Sequence, residues 1–356
     1  MILIAFKEQA NVVGVQIPAH KEYVYPRKTA NLIQERYPQL IEKIRPLGVN
    51  YRKYKGQNLS GKKLLLWRTG GFGDILLITP LVRQLKESYP NCEINFGCMP
   101  AFSYIFYRNR NISKIYGLPV PLSLLKEHNF HLHFQGTIEK SNSPKLHACD
   151  LFANHAGVTL KNKNTEFHLP PDVLKNAETF ILEELKIPKD QKKVAIQVKA
   201  SSVVRSYPGH LLKQVLALLT AKGLACVLIG LEKDRIPGLE MPGVFPAYDY
   251  GKTVLDAVAL FRNCDVLLSP DSSMTHFAGA LSFPNVALYG PFPGQIRTKY
   301  YSNCTTLEVH SDCAPCLIPS GKPCHEAEKI GVNWSPCFET LKPETVVETI
   351  MEKLGD

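Results

Sequence analysis

The chain has no apolar run at its N-terminus long enough to serve as a leader or a membrane anchor. Met1–Phe6 is apolar but stops at Lys7 and Glu8. A spanning helix needs about 20 apolar residues, and a secretory signal needs a longer apolar stretch behind a basic start. The expected location is therefore the cytoplasm, with at most a peripheral membrane contact. Short internal repeats and low-complexity tracts are also lacking, which argues against solenoid and disordered classes. No Gly-Lys-Ser/Thr follows the glycine loop at residues 70–73, so it is not a P-loop. The spacing of Gly70, Gly71 and Gly73 is wrong for a dinucleotide fingerprint.

What is present fits a globular protein of two domains. A chain of 356 residues exceeds one ordinary core, and 45% of it is hydrophobic against 21% charged. The net charge of +10 suits an anionic partner: a nucleotide sugar, a phosphorylated glycolipid, an acidic membrane face or nucleic acid. Spread evenly, the same charge would only aid solubility. Of ten cysteines, Cys98, Cys226 and Cys264 lie in or beside apolar runs and read as small core hydrophobes.

Residues 1–60 read as a polar, Tyr- and Lys-rich lead-in with one helix over about 28–44. Beyond it, strands alternate with helices. Lys63–Trp67 is an apolar strand, Ile75–Tyr89 a helix and Glu93–Gly97 a second strand; weaker strands follow near Ile115–Gly117 and His131–Phe134. Lys193–Val198 opens a second series, with strands at Leu224–Ile229, Asp265–Ser269 and Asn285–Tyr289. Helices over Gly209–Lys222, Thr253–Phe261 and Ser273–Leu281 lie between them. This alternation predicts an α/β protein with parallel sheets covered on both faces.

Two strand-to-helix loops carry candidate chemistry. In Arg68-Thr69-Gly70-Gly71-Phe72-Gly73-Asp74, glycines allow a tight turn and a helix start offers free N–H groups to an anion. Asp74 either caps that helix or points to the C-terminal edge of the sheet, where it could act as a general base. In Ser269-Pro270-Asp271-Ser272-Ser273-Met274-Thr275-His276, Asp271 and the serines suit a helix start. The N–H groups and hydroxyls also suit a diphosphate. His276 falls inside the helix, where a lone His packs more often than it catalyses.

These loops carry a resemblance. The stretch KLLLWRTGGFGDILLITPLVRQLKESYP over residues 63–90 resembles the first signature of glycosyltransferase family nine, the ADP-heptose:lipopolysaccharide heptosyltransferases. Gly251-Lys252-Thr253, Cys264-Asp265, Asp271-Ser272-Ser273-Met274-Thr275-His276-Phe277-Ala278 and Ala287-Leu288-Tyr289-Gly290-Pro291 resemble the second. Arg205-Ser206-Tyr207-Pro208 resembles a third. The resemblance implies the GT-B glycosyltransferase fold, two Rossmann-like domains facing a cleft. It also implies inverting transfer of a sugar, a heptose from ADP-heptose, to a glycan, lipopolysaccharide or protein acceptor, with no cofactor required for the chemistry. Asp74 then matches the catalytic base and Arg205 the cation that neutralises the leaving diphosphate. Gly73, Asp271, Ser272, Ser273, Met274 and His276 match the nucleotide-sugar site, and Glu232 is placed at the ribose. Ser273 stands where the family has Gly, and the Arg68–Gly71 loop departs from the better-known heptosyltransferases. The expected domains are an extension at 1–60, an acceptor domain at 61–180, a nucleotide-sugar domain at 181–340, and a helix at 341–356 returning to the first domain. A homo-oligomer is compatible with this arrangement.

The spacing Cys313-x2-Cys316-x7-Cys324-x12-Cys337 gathers four thiols, with His310 and His325 nearby. Such bunching predicts a structural zinc or iron, the alternative being disulfides or free thiols. A subset of the same family that modifies bacterial autotransporters is similar in holding iron there. Two other classes remain open to the sequence: a nucleotide-sugar epimerase, and a binding protein that grips nucleic acid or another anion through the same fold.

Overall fold

The computed structural model describes residues 1–12, 15–48, 51–139, 145–248, 250–251, 253–318 and 322–355. The chain divides into two compact units. The first comprises Met1–Gly71, Ile78–Ser141 and Cys149–Asn162; the second comprises Phe72–Leu77, Asn142–Ala148 and Lys163–Asp356. No helix among the described residues is long and apolar enough to cross a membrane.

The elements run β1 (Ile2–Phe6), β2 (Ala10–Val12), β3 (Val15–Ile17), β4 (Glu22–Tyr25), α1 (Arg27–Arg36), β5 (Ile41–Pro46), β6 (Lys63–Trp67), α2 (Phe72–Leu76), α3 (Thr79–Ser88), β7 (Glu93–Cys98), β8 (Lys114–Gly117), β9 (Val120–Pro121), α4 (Leu122–Glu127), β10 (Phe130–His133) and α5 (Ala148–Ala156). The first unit holds a parallel sheet of order β10-β6-β7-β8 and an antiparallel sheet of order β5-β1-β4-β9.

Residues 1–60 are therefore not a lead-in but part of this unit's core. Alternate residues of β1 face opposite sides, as strand geometry requires. Leu3 and its partner Val24 pack with Val120 of β9 and with Leu65 and Trp67 of β6 in the parallel sheet. Ile4 and its partner Tyr23 pack with Ala30 and Ile33 of α1. The expected helix over 28–44 ends at Arg36, because Pro38 disfavours helical backbone at Tyr37. The remainder, Ile41–Pro46, pairs with β1 as an exposed edge strand. The expected helix over 75–89 is likewise broken into α2 and α3 around Ile78, ahead of Pro80, which has no N–H to continue the ladder.

The second unit follows with α6 (Pro171–Thr179), β11 (Lys193–Gln197), α7 (Gly209–Ala221), β12 (Ala225–Ile229), β13 (Val244–Pro246), α8 (Val254–Arg262), β14 (Val266–Pro270), α9 (Ser273–Ala280), β15 (Asn285–Tyr289), α10 (Gly294–Arg297), β16 (Cys304–Glu308), α11 (His325–Ile330) and α12 (Pro343–Leu354). Its sheet is parallel throughout, with order β13-β12-β11-β14-β15-β16. Counted within the unit this is 3-2-1-4-5-6, the doubly wound arrangement whose order reverses between the first and fourth strands. Every residue of β12, β14 and β15 is buried, as expected for strands covered on both faces. The C-terminal helix belongs to the second unit. Val346, Val347 and Ile350 of α12 enter the second unit's core with Leu212 and Leu216 of α7 and with Leu268 and Val286 of the sheet. Each such fully buried side chain contributes about 1.5–3 kcal/mol relative to exposure, which fixes the helix there. Lys252, within the Gly251-Lys252-Thr253 motif, lies outside the described residues.

Candidate active site

The strand order places a crevice at the C-terminal ends of β11 and β14 in the second unit, where ligands of doubly wound sheets bind. Two residues tie its sides together. The Ser272 hydroxyl, at the turn from β14 into α9, donates to the Gln197 side-chain oxygen at the end of β11. The same Ser272 oxygen accepts the Met274 N–H at 3.2 Å and caps α9. Behind the turn, Ser269 bonds both Thr275 and Asn285, and Thr275 bonds the Pro270 carbonyl at 3.2 Å. The first turn of α9 is thereby anchored to the sheet, with Ser273 opening the helix and Met274 buried beneath it.

Asp271 does not cap this helix. It is 1% exposed and lies between two guanidinium groups, with Arg205 Nη1 at 3.8 Å and Arg297 Nη1 at 3.9 Å. Arg205 comes from the turn after β11 and is steadied by Ser201, whose hydroxyl accepts from Nη2 at 2.6 Å. Arg297 ends α10, after the Pro291–Pro293 loop, and its guanidinium stacks 4.1 Å from the Phe292 ring centre. Sequence analysis missed Arg297. Its only signal is its position in the loop region after a buried parallel strand, beside Gly290 and Gly294.

His276 is buried in α9, and its Nδ1 lies 2.7 Å from the Tyr301 hydroxyl. Burial first, and then the positive fields of Arg297, His147 and Arg205, push its pKa down to about 3. A neutral imidazole held in this way is a packing group. What it packs against is Gly73. A Cβ built on Gly73 would stand 2.5 Å from His276 Cδ2, so only glycine lets α2 settle against α9. Asp74, the next residue, is half-buried in the first turn of α2. The second unit thus assembles Gly73, Asp74, Arg205, Asp271, Ser272, Ser273, Met274 and His276 from loops distant in sequence.

Arg68 and Thr69, earlier in the same glycine loop, belong to the first unit. Arg68 is buried and donates to the Phe134 carbonyl at 2.6 Å, the Gly70 carbonyl at 3.0 Å and the Glu139 carboxylate at 3.1 Å. The Thr69 hydroxyl bonds Gln135. The left-handed backbone of Gly71, at φ +80°, is the turn that the glycine content anticipated.

Glu232 follows β12, the strand beside β11. Its carboxylate accepts from Arg235, at 2.8 Å from Nε. The cysteines form a separate feature. Cys313, Cys316, Cys324 and Cys337 line one cavity of about 90 Å³, together with His325 and Ser335. None is in a disulfide. Burial, reinforced by the three neighbouring thiols, pushes Cys337 up to about 12. Among the described residues no three His, Cys, Asp or Glu side chains stand close enough to hold a metal ion; residues 319–321 of this loop lie outside them.

Comparison with known proteins agrees with this architecture. Residues 136–325, just over half of the chain, match the profile of Glycosyltransferase family 9 (heptosyltransferase). Lipopolysaccharide heptosyltransferase 1 of Campylobacter coli is 21% identical over 363 residues, covering 83% of this chain and 99% of that protein. Among solved structures, a glycosyl transferase family 9 protein from Veillonella parvula superposes with a TM-score of 0.64 at 15% identity, over 84% of this chain and 98% of its own. The dodecameric iron-containing heptosyltransferase TibC of enterotoxigenic E. coli, in complex with ADP-D-beta-D-heptose, gives 0.60 at 13% identity, over 99% and 90%. The epimerase and nucleic-acid readings give way to this match. With its two α/β units and its reversal-point crevice, the chain belongs to glycosyltransferase family 9, the heptosyltransferase family, and is a glycosyltransferase.

Proposed function

We propose that the protein transfers a heptose from ADP-heptose to an anionic saccharide acceptor, with inversion at the anomeric carbon. The observation that carries this proposal is the convergence of Asp74, Arg205 and the capped start of α9 within one unit. Asp74 takes the proton from the acceptor hydroxyl as its oxygen attacks the anomeric carbon. The bond from that carbon to the diphosphate oxygen breaks on the opposite side, and the diphosphate leaves with the electron pair. Arg205 and the positive end of α9 stabilise the charge that develops there. One displacement gives one inversion. His276 holds α2 against α9. TibC and the lipopolysaccharide heptosyltransferases support the choice of donor by their ADP-heptose and heptosyltransferase descriptions.

Charge supports an anionic acceptor such as a phosphorylated lipopolysaccharide core. The segments of the first unit contain 21 Lys and Arg against nine Asp and Glu, a net +12; those of the second contain 21 against 23, a net −2. The positive excess is therefore confined to one unit and is not a general solubilising surface. The four thiols that line one cavity are the soft donor type that zinc or iron takes, and they would have to draw closer together to hold the ion. Bound there, the metal would staple the loop after β16 and supply no step of the reaction. Glu232 is retained as a ribose contact only if it exchanges Arg235 for the sugar hydroxyls. Calorimetry against ADP, UDP and GDP tests the donor assignment. ADP should bind tightest, and an equal or better affinity for UDP or GDP would overturn it.

A further inference from the structure

Arg297 has no role in the reaction as described so far. It rests on the same donor site but adds a second cation to it. Asp271 supplies one negative charge to two guanidinium groups, and neither approach, at 3.8 and 3.9 Å, is short enough for a hydrogen bond. Arg297 Nε and Asp271 Oδ2 are both buried with no hydrogen-bond partner among the described residues. Buried polar atoms in native proteins are nearly always paired, so these two stand out as groups waiting for something. The third titratable neighbour does not share the charge, because His276 stays neutral. His147 Nε2 lies 3.1 Å from the Arg297 carbonyl, which helps to fix the backbone there. Phe292 beneath the guanidinium holds its plane.

The two arginines reach Asp271 from opposite sides of the β14–α9 turn. Arg205 comes from the turn after β11, and Arg297 from the loop after β15, the strands on either side of β14. An anion with several oxygens at the start of α9 would meet both. The geometry points to Arg297 as a second diphosphate-binding arginine, acting with Arg205 and the α9 N-terminus, while Asp271 keeps the two guanidinium groups apart and aimed. Asp271 is thus a positioning residue. Its own carboxylate would repel phosphate, and its burial between two cations keeps it from doing so. The planar fork matters here, since lysine offers a point charge without the Nε–H.

Calorimetry with ADP and with adenosine on wild type, Arg205→Ala, Arg297→Ala and Arg297→Lys tests this inference. Loss of a charge-assisted hydrogen bond should weaken ADP binding by about 10- to 100-fold in Arg297→Ala, with adenosine binding unchanged. Arg297→Lys keeps the charge beside Asp271 and should fold, yet it should regain only part of the ADP affinity. Wild-type ADP affinity in Arg297→Ala, or in Arg297→Lys should the alanine variant not fold, overturns the inference if Arg205→Ala is weakened. If both arginine-to-alanine variants bind ADP as wild type does, the donor site itself is misplaced.

Discussion

The packing of α2 on α9 makes a quantitative prediction at Gly73. Alanine at this position puts a methyl carbon 2.5 Å from His276 Cδ2. Carbon atoms rest at about 3.5–4.0 Å, so the two helices must separate by about 1 Å or rotate by an equivalent amount. His276 cannot simply swing away, because Tyr301 holds its Nδ1. Overpacking of this kind costs about 1–3 kcal/mol of stability. The larger effect is on turnover. Asp74 adjoins Gly73, and a catalytic group misplaced by about 1 Å can lose about 100-fold in rate. Gly73→Ala should therefore lower kcat by about two orders of magnitude while ADP affinity changes little. His276→Ala should partly relieve the contact, so the double variant should turn over faster than Gly73→Ala alone. Steady-state kinetics with donor and acceptor, beside ADP calorimetry and a thermal melt, provide the readout. A folded Gly73→Ala variant with wild-type kcat would refute the claim that this contact sets the position of Asp74.

Two further predictions concern pH and metal. Burial pushes His131 and His133 down to about 4 from an ordinary 6.5. The unfolded chain therefore takes up protons that the folded chain refuses, and the stability present above pH 6.5 should be lost as pH falls toward 4. The Tm should drop over that window, and His133→Phe should flatten the drop; an unchanged slope would remove His133 from the account. Protein purified without added metal should carry zinc or iron near one equivalent per chain, reduced in Cys313→Ser. Elemental analysis finding none, with four titratable thiols, would remove the metal and leave the enzyme intact.

The parts of the fold visible in the sequence are those set by local pattern. The inner strands of the second unit are buried on both faces, so Ala225–Ile229 and Asn285–Tyr289 read directly as apolar runs between loops. The Ser272 cap and the packing role of His276 follow from residue type and place. The first 60 residues were opaque because their order is nonlocal. Ile41–Pro46 is an exposed edge with no apolar face of its own, and β4 finds β9 nearly a hundred residues later. A run read as one helix over 28–44 was decided by Pro38. Arg297 escaped notice for a similar reason, since α10 is four residues long and carries no periodicity. Only the folding of three strand-end loops onto one carboxylate reveals it.

The most direct test of the central claim is turnover with and without the Asp74 carboxylate. Wild type and Asp74→Asn should be given ADP-heptose and an acceptor lipopolysaccharide core lacking heptose, and the release of ADP and the mass of the product followed. Asparagine is nearly isosteric and still suits a helix start, so folding and ADP binding should persist. The wild type should add one heptose, and the variant should be slower by about 10²- to 10⁴-fold, the usual worth of general-base help. No transfer by the wild type, or equal rates in a folded Asp74→Asn variant, would contradict the account.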